Sequence, residues 1–409
     1  MKSKAGRNIL VFNCGSSSLK YRLIRMPQED ELVCGEAQRV GIKTQGKSSI
    51  CHSVRGVERT IQVDLPDHAV ALRRIMELLK EDCRKDKRLS IDVFAHRYVH
   101  GGNVFSRTVQ VTPKVREQLS CTLDLAPLHN PVIYGLIELC AAEFPRIKQY
   151  AVFDTSFHST IPKEFSSYAI PAKLAARYDL HKVGFHGISH NYVMQEAARF
   201  LKRDCRDLKM ISCHLGTGGS SVCAIDGGKS VNNSMGFTPL EGLMMNTRSG
   251  DLDLGVIFYI MALENFSGQQ AEEMLIKRSG ILGVYDSSSD LRDVVKSIGV
   301  QPRAKIVFDM YVRGIRKYVG YYSLILQKAD VLIFTDSMGA GMPLVRSKVC
   351  ESMDIFGIKL DTAKNSSYKE GIMEISAAGS QAHVLVVPTN EEIMIARQAH
   401  KESERDHCR

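Results

Sequence analysis

Apolar residues recur along this chain in two alternating rhythms. Over residues 303–328, Phe308, Val312, Ile315, Val319, Tyr322 and Leu326 fall at steps of four and three, which predicts a long helix with one apolar stripe. That stripe is expected to face a core or a subunit interface. Leu72, Ile75, Met76 and Leu79 put the same pattern on residues 71–80, and Pro131 after Asn130 starts a helix over 132–144 that ends before Pro145. Between such segments lie short apolar runs of strand type, at residues 9–12, 21–24, 150–153, 210–215, 222–225, 331–335 and 384–387. Strands alternating with amphipathic helices predict an α/β architecture.

Small polar turns join several of these runs. Asn13-Cys14-Gly15-Ser16-Ser17-Ser18, with Lys20 two residues on, separates the first pair. Glycine admits close approach of an anion, hydroxyls and amides donate to its oxygens, and lysine supplies compact positive charge, so the turn suits a phosphate. An ordinary Gly/Ser hairpin with an exposed lysine has the same composition. Further on, Gly216-Thr217-Gly218-Gly219-Ser220-Ser221 follows the run 210–215 and leads into 222–225 and the turn Asp226-Gly227-Gly228. The recurrence predicts an internal duplication in which each half contributes one phosphate clamp; two coincidental hairpins are the alternative. A third small-residue loop, residues 336–341, follows the run 331–335 and leads toward a helix from Pro343.

Length and composition narrow the class. A chain of 409 residues accommodates two domains with separate cores, and 44% apolar with 24% charged residues is ordinary for a globular protein. No run approaches the roughly 20 apolar residues of a membrane span, so a membrane protein is not expected. Residues 1–8 are basic, but only four apolar residues follow before Asn13; no secretory segment is read and export is not expected. The 11 cysteines are scattered, odd in number and never spaced CxxC, which predicts reduced thiols in a cytoplasm and no zinc site. Cys14, Cys213 and Cys223 sit in apolar strand contexts as small hydrophobes. The net charge of +9 is interleaved with acids, as where Arg73 and Arg74 precede Glu77. That pattern reads as a mixed surface favouring small anionic substrates, and nucleic acid is not expected.

Nine blocks then lie in order along the chain: NCGSSSLK at 13–20, HRYVHGG at 96–102, APLHNP at 126–131, FDTSFH at 153–158, GFHGISH at 184–190, SMGFTPLEGLMM at 234–245, TRSGDLD at 247–253, SSDLRD at 288–293 and PTNEE at 388–392. Together, from about residue 8 to residue 398, they resemble the acetate kinase family, within the wider superfamily of sugar kinases, Hsp70 and actin. The resemblance implies two related α/β domains of the ribonuclease H-like type flanking a cleft, residues 1–157 with 392–409 and residues 158–391. It also implies a reversible, Mg2+-dependent phosphoryl transfer between acetate and acetyl phosphate.

By the same resemblance, Arg97 and Arg248 hold the carboxylate and the phosphoryl group, His186 stabilises the transferring group, and His129 assists. Asp154 and Glu391 position Mg2+, with Asn13 beside them. Asn13, Ser16, Ser18 and Lys20 form the first phosphate loop; Gly216, Thr217 and Gly218 form the second. Val99, Leu128, Phe185 and Pro239 line a small pocket for the acetate methyl, with propionate a weaker substrate. These roles suit the chemistry, because a carboxylate attacking a phosphoryl group needs alignment and charge neutralisation more than covalent help. Plainer readings stand beside them: surface salt bridges for the arginines, a helix-dipole acid for Glu391, and satisfied core histidines, above all for His190 and His214. The spacing His181, His186, His190 lacks a helix-borne acid and is not read as a metal site.

Two departures fall on the nucleotide side. ATP-using relatives carry HLGNGAS where residues 214–220 read HLGTGGS, and TGGIGEN where residues 335–341 read TDSMGAG. Asp336 and Ser337 add side chains where the backbone would approach adenosine, Met338 fills the gap before Gly339, and Thr217 removes an asparagine amide. The changes resemble the smaller branch of the family that uses diphosphate, so a phosphate/diphosphate couple is expected over ATP/ADP. Asp290 and Arg292, which relatives use at the nucleotide, argue the other way. The resemblance further implies a homodimer joined through the second domain. A non-catalytic acyl-phosphate sensor is the alternative of another class.

Overall fold

The computed structural model describes residues 6–15, 17–42, 47–127 and 129–406. They form two compact units, one running up to Phe157 and resuming at Asn390, the other spanning His158–Thr389.

The first unit is built on β1 (Arg7–Cys14), β2 (Ser18–Met26), β3 (Asp30–Gln38), β4 (Ser49–Val54), β5 (Val57–Gln62), β6 (Val93–Tyr98), β7 (Val109–Gln110) and β8 (Lys148–Phe153), in the order β5-β4-β3-β2-β1-β6-β8-β7. Ile9, Leu10, Val11 and Phe12 of β1 are all buried, as a strand with a parallel neighbour and both faces covered requires. β2 alternates instead: Leu19, Tyr21 and Leu23 are buried while Lys20 is exposed. The helix His68–Lys85 begins on Asp67, whose side chain accepts from the Val70 N–H, and buries Leu72, Ile75, Met76 and Leu79. It outruns the predicted 71–80 at both ends because the cap and the last turn carry no apolar signal. The helix Asn130–Glu143 has its proline in the first turn, and Glu391–Arg405 lies against β1, β2, β6 and β8.

The second unit holds β9 (Lys209–Leu215), β10 (Ser220–Asp226), β11 (Lys229–Asn233), β12 (Val331–Thr335), β13 (Met373–Glu374) and β14 (His383–Val386), in the order β11-β10-β9-β12-β14-β13. The predicted stripe Phe308, Val312, Ile315, Val319 and Tyr322 is buried in its core, on the helix Pro302–Ile325. Residues 336–341 are not an open loop; they wind into the short helix Asp336–Gly341 directly after β12. Small residues give no apolar period to announce such a turn. Arg346, which is fully buried, donates to the carbonyls of Gly339 (2.9 Å) and Ala340 (2.5 Å) at its end.

One plan recurs in both sheets. β3-β2-β1 and β11-β10-β9 run antiparallel, whereas β1-β6-β8 and β9-β12-β14 run parallel. The two predicted phosphate turns join β1 to β2 and β9 to β10, equivalent places in the plan. Among the described residues no helix is long and apolar enough to cross a membrane, and the cysteines are free thiols.

Candidate active site

In the first unit the parallel pairing of β6 with β8 sets Arg97 opposite Val152, and Asp154 follows directly after β8, its N–H on the Tyr98 carbonyl at 3.0 Å. The Arg97 side chain, one-fifth exposed, donates to Asp154 Oδ2 from Nε (3.1 Å) and Nη2 (2.6 Å) and to Asn13 Oδ1 from Nη1 (3.0 Å). Glu391 Oε2 lies 3.3 Å from the same Nη1 and accepts from Asn13 Nδ2, which also donates to Glu392. Burial alone would lower the pKa of Arg97, but Asp154 and Glu391 carry it above the ordinary guanidinium value. Asp154 is 2% exposed, and its other oxygen, Oδ1, is buried without a hydrogen-bond partner among the described residues. Asn13, Arg97, Asp154 and Glu391, far apart in sequence, thus form one cluster.

The flanking residues fall as follows. Asn13 pairs with Lys20 across the β1–β2 turn, which the Gly15 N–H closes on the Ser18 carbonyl at 2.9 Å. His129 occupies the position before the helix Asn130–Glu143, and Val99 packs against the core of the unit. Ser16 and Leu128 lie outside the described residues.

In the second unit His186 precedes the helix Gly187–Phe200 with a left-handed backbone, φ +58, a conformation that costs a non-glycine residue about 1–3 kcal/mol. Its Nδ1 is 2.9 Å from Ser221 Oγ, which also meets His190 Nε2 at 2.9 Å; His190 Nδ1 in turn meets Ser212. Burial, then the neighbours His158 and His214, push the His190 pKa well down, so that ring is a neutral relay. A Cβ on Gly219 would lie 3.2 Å from the His186 ring and 3.6 Å from Arg248 Nη1, which shows how closely the three meet. Arg248 donates to the carbonyls of Pro239 (3.2 Å) and Gly218 (3.3 Å), and desolvation lowers its pKa. Its segment is held by Gly280, at φ +64, where a Cβ would collide with the carbonyls of Met245 and Arg248.

The two loops after β9 and β12 are tied together. Asp336 Oδ2 is 3.1 Å from His214 Nε2, and Ser337 Oγ accepts from the Thr217 N–H at 3.2 Å. Gly216 touches the Asp336 carboxylate so closely that a Cβ there would collide with it. Met338 is buried in the core with its sulfur 3.9 Å from Tyr311 Oη, and Gly339 lies behind it. A cavity of ≈ 560 Å³ opens beside Asp336, Ser337, Gly341, Tyr368 and Thr389. Asp290 and Arg292 engage each other, Arg292 Nε donating to Asp290 Oδ1 at 2.9 Å, and this bond lowers the Asp290 pKa.

Phe185 is buried, its carbonyl accepting from Asn233 Nδ2 at 3.1 Å, and Pro239 stands on the segment 234–245. That segment is shaped by a network not foreseen from sequence. Lys182 Nζ donates to Glu241 Oε1 (2.6 Å), Tyr168 Oη donates to Glu241 Oε2 (2.6 Å), and the Phe237 N–H donates to Tyr168 Oη (2.7 Å). Glu241 lies in one of the nine blocks; Lys182 and Tyr168 carried no local signal. Among the described residues no group of three or more His, Cys, Asp or Glu side chains could hold a metal ion.

A model of the Acetokinase family matches residues 8–397. The chain belongs to that family. Among its relatives, the acetate kinase of Caldicellulosiruptor saccharolyticus is 42% identical over 394 residues, covering 95% of this chain and 98% of that one. Of solved structures, the acetate kinase of Porphyromonas gingivalis superposes with a TM-score of 0.89 at 38% identity, covering 97% and 99% of the two chains. A propionate kinase from Francisella tularensis superposes at 0.86 with 34% identity, covering 96% and 98%. The fold is accordingly that of the sugar kinase/Hsp70/actin superfamily, as the nine blocks imply.

Proposed function

We propose that this family member transfers a phosphoryl group reversibly between acetate and a phosphate donor, forming or consuming acetyl phosphate. The observation that carries the reading is Arg248. It is a half-buried guanidinium beside a glycine-rich loop and His186, with backbone carbonyls and no carboxylate as partners among the described residues. A desolvated cation without a counter-ion is costly to maintain, and an anionic ligand offsets that cost.

In the proposed reaction an acetate oxygen attacks phosphorus, the bond from phosphorus to the donor oxygen breaks, and the donor leaves with that electron pair. Arg97 and Arg248 grip the carboxylate and the phosphoryl oxygens, His186 donates to those oxygens, and His129 assists. Phe185, Pro239 and Val99 enclose the methyl group. An extra methylene there costs only about 1–3 kcal/mol, so propionate is a weaker substrate. Asn13, Ser18, Lys20 and the loop Gly216, Thr217, Gly218 take the remaining phosphate oxygens. Mg2+ suits the first unit's acceptors: Asp154 offers a buried, unpartnered oxygen, and Asn13 and Glu391 add oxygens around the same guanidinium. Those residues would hold the ion, which takes one or two carboxylates and keeps water and phosphate as its other ligands. When bound it supplies charge neutralisation at the phosphate oxygens.

For the donor we favour diphosphate over ATP, because Asp336 and Ser337 occupy the space between the two loops and Ser337 takes the Thr217 amide. ATP is the second reading, favoured by the ≈ 560 Å³ cavity beside Ser337, a volume within the ordinary range for ligand pockets of roughly 300–1,000 Å³. Acetyl phosphate offered separately with inorganic phosphate and with ADP decides the matter. Diphosphate formation is expected; robust ATP formation without diphosphate overturns the choice of donor. Binding of acetyl phosphate with no Mg2+-dependent turnover on either acceptor points instead to a sensor. A homodimer is supported by the helix Leu254–Glu264, which exposes Leu254, Phe258, Tyr259 and Leu263. The free thiols favour a cytoplasmic setting.

A further inference from the structure

We propose that Asp336 is a positioning residue for His186, acting through His214; this rests on the phosphotransfer reading above. His214 Nε2 lies 3.1 Å from Asp336 Oδ2, an ion-pair distance without hydrogen-bond alignment; a bare ring lone pair would repel the carboxylate there, so Nε2 carries the proton. In the neutral ring Nδ1 then accepts from Ser189 Oγ (2.9 Å), and Ser189 accepts from Thr389 Oγ1 (2.8 Å). The His214 ring is thereby held at both nitrogens by groups on three different segments. His186 packs on it with ring centroids 4.2 Å apart and planes 35° apart, while Ser221 holds His186 Nδ1 at 2.9 Å. The His186 ring has one edge fixed by Ser221 and one face fixed by His214. Asp336 is itself braced: its φ is +64, its Oδ1 accepts from the Ser337 N–H at 2.5 Å, and its carboxylate fills the space that a side chain at Gly216 would take. A strained backbone held against a ring of the phosphate loop indicates a part in orienting that loop, beyond any effect on what the loop admits.

The test uses the full chain with 15N-labelled histidine, His214 and His186 being assigned by His214→Gln and His186→Gln. Wild type is expected to show His214 protonated at Nε2 in its 15N shifts. Asp336→Ala should move that ring toward Nδ1 protonation, shift the His186 resonances, and lower kcat about tenfold while the KM for acetyl phosphate changes less than about twofold. Asp336→Asn, whose amide oxygen still disfavours a bare Nε2 lone pair, should restore most of the Nε2 protonation and of kcat. Asp336→Ser, too short to reach Nε2, repeats the alanine test should that variant unfold. Unchanged His186 resonances in Asp336→Ala, kcat within about twofold of wild type, or an asparagine variant as impaired as alanine overturns the proposal. If the wild-type protein transfers no phosphoryl group, the phosphotransfer reading falls, and the spectra still decide whether Asp336 orients the two rings.

Discussion

Replacing Asp154 with alanine separates what the Arg97–Asp154 pair does for stability from what it does for turnover. The carboxylate is buried and takes two N–H groups of Arg97, the shorter at 2.6 Å. Removing one partner of such a pair costs about 3–5 kcal/mol, because the other charge stays desolvated. Glu391 at 3.3 Å and Asn13 at 3.0 Å remain for Arg97, which places Asp154→Ala near the lower end, about 3 kcal/mol. For a unit of this size that is a fall of roughly 6–12 °C in the midpoint of its transition by differential scanning calorimetry. Turnover with acetyl phosphate should drop about 10²-fold as the guanidinium loses its brace. Arg97→Met should cost turnover about 10³-fold. The double variant should then regain at least about 1.5 kcal/mol over Asp154→Ala, the lone buried cation being gone, while turnover stays no better than in Arg97→Met. A single Asp154→Ala variant that keeps its midpoint and works within a few-fold of wild type would refute the reasoning.

Three further outcomes are expected. Gly280→Ala, at φ +64 and against the carbonyls of Met245 and Arg248, should lose about 1–3 kcal/mol and most turnover together; a fully active, unshifted variant in thermal unfolding and rate assays contradicts the role given to that glycine. His96 and His158 are buried, and burial pushes both pKa values from 6.5 down to about 4, so the unfolded chain binds protons there before the folded one does. Stability should therefore fall as pH drops from about 6.5 to 4, by up to roughly 3 kcal/mol for each ring, and urea midpoints that are flat between pH 7 and 5 would exclude this. Phe258 is 69% exposed, so Phe258→Asp should leave unfolding within about 0.5 kcal/mol of wild type yet shift sedimentation from dimer to monomer; a monomeric wild-type protein rules the surface out as a dimer contact.

Elements with a regular apolar period were legible in the chain itself. The stripe from Phe308 to Tyr322 and the run at β12 announce their structures because one buried face repeats at fixed intervals. The turns after β1 and β9 were legible as turns through their glycines and serines, and their equivalent places in two like sheets accord with a duplicated plan. What escaped is non-local. Tyr168, Lys182 and Glu241 meet only after folding, and nothing in their neighbouring residues signals the meeting. His214 reads as a satisfied core histidine, and so it is, but one of its partners is Asp336 from a loop more than a hundred residues away. The short helix at that loop stayed hidden because Gly339, Ala340 and Gly341 lack the side chains that produce a pattern.

Arg346 grips the main chain of that short helix from behind and asks nothing of the side chains at 336, 337 and 338. The frame of the loop and its lining are thus under separate control. Substitutions at 336 and 337 can therefore change the charge and size that the loop presents while the Arg346 contacts to its main chain stay in place.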